Sequence, residues 1–187
     1  MCIFFKSEIT PSIFSRIKGK SYGEGCDIPL EDLSYIRITH YGFDAEIKEG
    51  EMICSSEIAD DLLSIFRKLY EFHYQIERVC LIDEFNADDD ISMANNNSSS
   101  FNYRKITGSN SLSKHALGLA VDINPLYNPY VRGHIVLPPH GLKYTDRSIS
   151  FPHKIDKFDI CYKTFTEYGF TWGGDWTDLK DYQHFER

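Results

Sequence analysis

The stretch 35-YIRITHYGFDAEIKEGEMIC-54 alternates apolar and polar residues on both sides of Lys48, Glu49 and Gly50. That period of two predicts a β-hairpin turning at those three residues. Behind it, Ile58, Leu62, Ile65, Phe66, Leu69, Phe72 and Ile76 recur at helical spacing. Ser55 and Ser56 stand where they can cap a helix, and Glu57, Asp60 and Asp61 place negative charge at its start. A long amphipathic helix packed on the hairpin follows. His73 lies near the apolar stripe with no second ligand type four residues on, so it is read as a packed or rim side chain. This scaffold sets the class as α+β, a mainly antiparallel sheet with helices packed on it.

Working outward, Val79 to Ile82 is a short run of strand type, and Phe85 to Leu112 shows little periodicity. The latter reads as one long loop, and loops of that length in a compact domain tend to be binding loops or lids, here a substrate wall. Asp88, Asp89 and Asp90 read as a solvated bend; a calcium loop would need a glycine and a closing glutamate at offsets where neither stands. Phe158, Cys161, Phe165 and Tyr168 mark a second amphipathic helix closed by Gly169. It leads into FTWGGDW, where Gly173 and Gly174 allow a tight turn between aromatic anchors. With no internal repeat and no linker, residues 1–187 are expected to form one domain.

The bulk properties exclude several functions. A net charge of -8 gives no basic field for nucleic acid. No apolar run reaches the ~18 residues of a membrane span. The 5 cysteines are scattered without a C-x-x-C pair and read as ordinary thiols. The start, MCIFFKSEITPSIF, lacks the parts of a signal peptide. The expectation is a cytoplasmic chain as made, or a cell-wall or periplasmic one if already trimmed.

The chemistry gathers in Ser111 to Pro129, SLSKHALGLAVDINPLYNP. Leu119, Val121 and Ile123 alternate with Ala120 and Asp122, so a short buried strand would turn Asp122 away from its apolar neighbours. A carboxylate in that position needs a metal, an arginine or several N–H donors, because burying it unpaired costs several kcal/mol. Gly118 would let the chain bend so that His115 returns toward Asp122. Near the C-terminus, Asp181 and His184 are three apart and would share a face on a helical turn. His115, Asp122 and His184 then make a candidate catalytic zinc set, three protein ligands with a fourth position for water, and Asp181 a candidate proton acceptor. Spacing alone leaves the alternative open: a buried aspartate and two surface histidines.

Ser113, His115, Gly118, Ala120 and Asp122, followed some sixty residues later by Asp181 and His184, give the wider pattern. It resembles the D-alanyl-D-alanine carboxypeptidase family of zinc peptidases over roughly residues 101–187. That family includes vancomycin-resistance dipeptidases and carboxypeptidases and phage L-alanyl-D-glutamate endolysins. The resemblance implies a hedgehog/DD-peptidase-like α+β fold and one Zn²⁺ per chain on His115, Asp122 and His184. It implies Asp181 as general base, where many members have Glu and the endolysin branch has Asp. Arg104, in Phe101-Asn102-Tyr103-Arg104, resembles an arginine thought to bind substrate and steady the oxyanion; a salt bridge to the Asp88 to Asp90 loop is the other reading. Ser113 would touch substrate or orient its loop, with a turn cap as the alternative. Trp172, Trp176 and Asp175 would wall the cleft, core packing being the alternative for the tryptophans. Glu186 would take the outer N–H of a ligand imidazole.

The expected activity is hydrolysis of peptidoglycan stem peptides, foremost at D-Ala-D-Ala. An L-alanyl-D-glutamate endopeptidase is the rival within enzymes. A zinc-bearing binding domain is the rival outside them, since the hedgehog signalling domain resembles this fold without serving as a peptidase. Residues 1–80 carry nothing that maps onto the family.

Overall fold

The computed structural model describes residues 2–104 and 111–187; residues 105–110 of the expected loop lie outside them. Strand β1 (Phe4–Ser7) and helix α1 (Pro11–Ile17) precede the hairpin, which is built from β2 (Leu33–Tyr41) and β3 (Ile47–Ser55). The hairpin forms, but its turn is elsewhere. The Gly42 N–H donates to the Glu46 carbonyl and Ala45 sits at φ 62°. Gly50 is mid-strand opposite Ile38, with Val79 packed over it. The three antiparallel strands run in the order β1-β2-β3.

Successive side chains of this sheet go to opposite faces, and along β2 and the end of β3 both faces are covered. Ile36, Ile38, Met52 and Cys54 face one cluster, and Leu33, Tyr35 and Ile53 face another that includes Ile17, Leu81 and Phe101. Helix α2 (Ala59–Glu71) lies on the first face and buries Leu62, Ile65, Phe66 and Leu69. Each such side chain contributes about 1.5–3 kcal/mol of burial. The helix begins on Ile58 with no side-chain cap, although Ser55 Oγ accepts the Glu57 N–H, and it ends before Phe72, which is exposed. His73 is a rim residue, its ring 4.8 Å from that of Tyr41.

The next segment departs from the single loop expected. Strand β4 (Arg78–Val79), a 3-10 turn at Ile82–Phe85, helix α3 (Asp89–Ala94) and strand β5 (Asn97–Ser98) follow in turn. Asp88 is no solvated bend: its carboxylate accepts the Ile91 N–H as the N-cap of α3, and Asp89 and Asp90 occupy the first turn. The pair β4–β5 is parallel.

Strands β6 (Ala120–Asp122), β7 (Tyr130–Arg132) and β8 (Ile135–Leu137), helix α4 (Ile160–Glu167), and strands β9 (Thr171–Trp172), β10 (Lys180–Asp181) and β11 (His184–Glu186) complete the described chain. Helix α4 is shorter than predicted, capped by Asp159, with Cys161 and Phe165 buried, Gly169 at φ 82° and Phe158 outside it and exposed. Two further antiparallel sheets run β6-β11-β9 and β10-β7-β8. The architecture is thus mixed α/β with antiparallel sheets and few helices, in keeping with the α+β class, but divided into small sheets. The cysteines are free. No helix among the described residues is long and apolar enough to cross a membrane.

Candidate metal centre

Val121, Ile123 and Phe185 are fully buried in the main core. With alternate side chains on one face of β6 and β11, Asp122 and His184 must face the other way. The antiparallel register sets them directly opposite each other. Their side chains meet, with His184 Nδ1 3.1 Å from Asp122 Oδ1.

His115 reaches the same point from a turn. Ser113 Oγ accepts the Ala116 N–H at 3.0 Å, and the His115 carbonyl accepts the N–H groups of Gly118 (3.0 Å) and Asn102 (3.1 Å). Gly118 is at φ +67°, and a Cβ there would sit 2.5 Å from the Ser55 nitrogen. Only glycine satisfies both conditions. The chain therefore reverses against the end of β3, and His115 Nε2 lies 3.2 Å from Asp122 Oδ2 and 3.2 Å from His184 Nδ1.

The outer nitrogens fix the tautomers. His115 Nδ1 donates to the Ser100 carbonyl at 2.7 Å, and His184 Nε2 donates to Glu186 Oε2 at 3.0 Å. Each ring is left with its other nitrogen turned inward, where two imidazole lone pairs and a carboxylate converge. That arrangement is satisfied only by a cation among them, a proton or a metal ion. One donor atom from each of His115, Asp122 and His184 lies within 4.8 Å of the others. Two imidazoles and one carboxylate, with second partners on the outer ring nitrogens, fit the donor chemistry of a catalytic zinc site.

The electrostatics agree. Burial opposes ionisation of Asp122, but His115 and His184 outweigh it and hold the carboxyl far below its usual range. Burial likewise opposes the charged form of His184, yet Asp122 and Glu186 raise its pKa to about 10 in the metal-free protein.

Asp181 arrives differently from expectation. The DYQH segment is not helical: Asp181 ends β10, Tyr182 and Gln183 turn, and His184 begins β11. Lys180 and Asp181 pair with Val131 and Tyr130 of β7. Gly173 permits the WGGDW turn to close on this strand, since a Cβ there would lie 2.6 Å from the Asp181 carbonyl oxygen. Asp181 Oδ1 is buried without a hydrogen-bond partner. Burial lifts its pKa to about 6; His184 pulls it down and Asp122 pushes it up, so the carboxyl feels the ligand cluster directly. A carboxylate poised near neutrality beside a metal site is suited to proton transfer.

Residues 107–187 match the D-alanyl-D-alanine carboxypeptidase family. No curated protein and no solved structure matches the chain. The carboxypeptidase match contains all three donors, Asp181, Ser113, Trp172, Asp175 and Glu186, and leaves Arg104 outside it.

Within the matched region, Glu186 Oε2 lies 3.0 Å from His184 Nε2. Ser113 caps its own turn and so orients the loop that carries His115. Trp172 is a core residue: it is buried, its ring packs on Tyr162 and Tyr182, and its indole N–H goes to the Tyr182 carbonyl. A side chain so enclosed is no cleft wall. Trp176, half-buried with its ring 5.2 Å from His184, is the indole beside the cluster. Asp175 is exposed and paired with Lys157 at 2.7 Å. Outside the match, Arg104 is ion-paired through Nε with Asp89, whose other oxygen accepts the Asn102 side-chain N–H at 3.0 Å.

Sequence reading missed the supports. The Ser100 carbonyl could not be foreseen, because any residue supplies one. Asn124 and Asn128, in the motif DINPLYNP, are fully buried, and they tie Gln75, Glu77, Ser98, His153 and Ile155 together through side-chain or backbone bonds. Two asparagines in a buried polar turn were the available signal.

Proposed function

We propose that residues 1–187 form a single zinc metallopeptidase domain of the hedgehog/DD-peptidase type that hydrolyses peptidoglycan stem peptides, foremost as a D-alanyl-D-alanine carboxypeptidase. The observation that carries this is the convergence of His115 Nε2, His184 Nδ1 and an Asp122 carboxylate oxygen, with Asp181 beside them, inside the region of the family match. A zinc ion held by these three side chains would supply a Lewis acid that polarises a carbonyl and acidifies water.

The protein's own groups do the rest. Ser100 and Glu186 hold the imidazoles in the tautomers that turn lone pairs inward. The Asp181 carboxylate takes the proton of the attacking water and returns it to the leaving amine nitrogen. Water adds across one C–N bond, giving a carboxylate and an amine. Trp176 covers one side of His184 and limits solvent there. Arg104 is assigned to the substrate side, held in place by Asp89.

The same Arg104–Asp89 pair favours a second reading. A guanidinium already answered by a carboxylate offers little net charge to a free C-terminal carboxylate, which a carboxypeptidase must recognise. An L-alanyl-D-glutamate endopeptidase has no such need, and Asp181 in place of Glu resembles that branch. Mass spectrometry of digested muropeptides tests all readings. Loss of one terminal D-Ala supports the carboxypeptidase, and cleavage next to the muramyl-linked L-Ala supports the endopeptidase. Zinc-loaded protein that binds stem peptides and turns none over would contradict both and indicate a binding domain.

A further inference from the structure

We propose that Arg147 is a positioning residue for Asp181, acting through Tyr182 and through the strand pair β7–β10. The proposal rests on the reading of Asp181 as the base.

Strand β10 has two residues, and the sheet it joins is no part of the main core: Ile135 on β8 is 55% exposed. So short a ladder would not hold a side chain to within the fraction of an ångström that proton transfer needs. Something else must fix it.

Arg147 supplies that hold. Its Nη1 donates to the carbonyls of Tyr127 (3.1 Å) and Tyr144 (3.3 Å). Its Nη2 donates to Asn128 Oδ1 (3.1 Å) and the Ile155 carbonyl (2.7 Å). All four acceptors are neutral, so this cation is held by dipoles and ring faces. The guanidinium carbon lies 4.3 Å from the ring centre of Tyr182 and 5.0 Å from that of Phe151. A partly desolvated cation over an aromatic face is attracted by about 0.5–2 kcal/mol.

Tyr182 follows Asp181 directly. Its N–H points to the Pro129 carbonyl at 3.4 Å and its own carbonyl accepts the Trp172 indole N–H at 2.9 Å. Residues 127–129, which Arg147 grips at Tyr127 and Asn128, lead straight into β7, the partner strand of Asp181. One cation thus fixes both the residue after Asp181 and the root of the strand opposite it, while touching none of the three metal donors. Its removal should move the acid and leave the ligands in place.

The test compares Arg147→Met, which keeps length but removes charge and donors, with Tyr182→Leu, which removes only the ring, and Tyr182→Phe, which keeps it. Two quantities are read on the zinc-loaded protein: the kcat and KM split on a stem peptide, and amide exchange at Tyr182 against Asp122, whose N–H is bonded to the Ser99 carbonyl. Arg147→Met and Tyr182→Leu should lower kcat about tenfold or more with KM little changed, at one zinc per chain. Exchange at Tyr182 should quicken by a similar factor with Asp122 unchanged, and Tyr182→Phe should behave as the parent. Exchange rising equally at both amides, in Tyr182→Leu as in Arg147→Met, would reduce Arg147 to general stability and overturn the proposal. So would an unchanged kcat. If the parent protein turned nothing over, the peptidase reading would fall, and the exchange comparison would still decide whether Arg147 positions this segment.

Discussion

Strands β6 and β11 meet inside the main core, where Val121, Ile123 and Phe185 are fully buried and their alternation leaves Asp122 and His184 no freedom but to face each other. Strands β7 and β10 meet outside that core, and what holds Asp181 is a hub of hydrogen bonds around Asn128 and Arg147 and a glycine turn pressed against it. Asp122 and His184, two of the candidate metal donors, are set by apolar packing behind them, His115 by a capped turn, and the candidate acid by polar contacts. A ligand set benefits from rigidity, because its donor atoms must converge whether or not substrate is present. An acid that accepts and returns a proton works from a partly desolvated place where its pKa is raised, and a polar hub beside the core provides one.

Four perturbations probe the first region, the β6–β11 ribbon. The largest effect should follow from Asp122→Ala, which removes a donor and one of the carboxylates that raise the pKa of His184; stoichiometric zinc binding should disappear by elemental analysis, and hydrolysis with it. Next, Phe185→Ala should destabilise the fold by about 3–5 kcal/mol in denaturant unfolding, since it empties a fully buried site behind the donors. A loss below about 1 kcal/mol would break the claim that packing holds this ribbon. Glu186→Gln weakens the partner of His184 Nε2 and should cost about 10–100-fold in zinc affinity by competition with a chelator, with the fold intact.

The smallest effect concerns pH. His184 in the metal-free protein has its pKa raised from 6.5 to about 10. A raised value means that its stabilising ion pair is fully present below pH 6.5 and lost as pH climbs through 10. The melting temperature of chelated protein should therefore fall across that window. Zinc displaces the same proton, so the stabilisation given by zinc should grow with pH over the same range. A flat difference would contradict the assignment of His184 as a donor.

The two regions also differ in how far their sequence could be read. Strand β6 was legible because Val121, Asp122 and Ile123 alternate sharply, and Gly118 announced the bend before it. The pairing of Asp122 with His184 was not, because strands of three residues 62 positions apart carry no local sign of register. Asp181 and His184 suggest a helical turn, since an offset of three suits that as well as a strand, a turn and a strand. Gly50 drew the hairpin turn to itself, while the true turn used Ala45 at positive φ, which composition hides. Asp88 reads as a solvated bend in sequence because the helix it caps spans only Asp89–Ala94, too few residues to show a period. Arg147 stands in a polar stretch, Thr145 to Ser150, with nothing to mark it as the centre of a hub.

Zinc content and stem-peptide hydrolysis measured together on Asp181→Ala test the central claim most directly. The account predicts one zinc per chain, as in the parent, with turnover lower by about 10²–10⁴-fold. Turnover retained at the parent rate would contradict it.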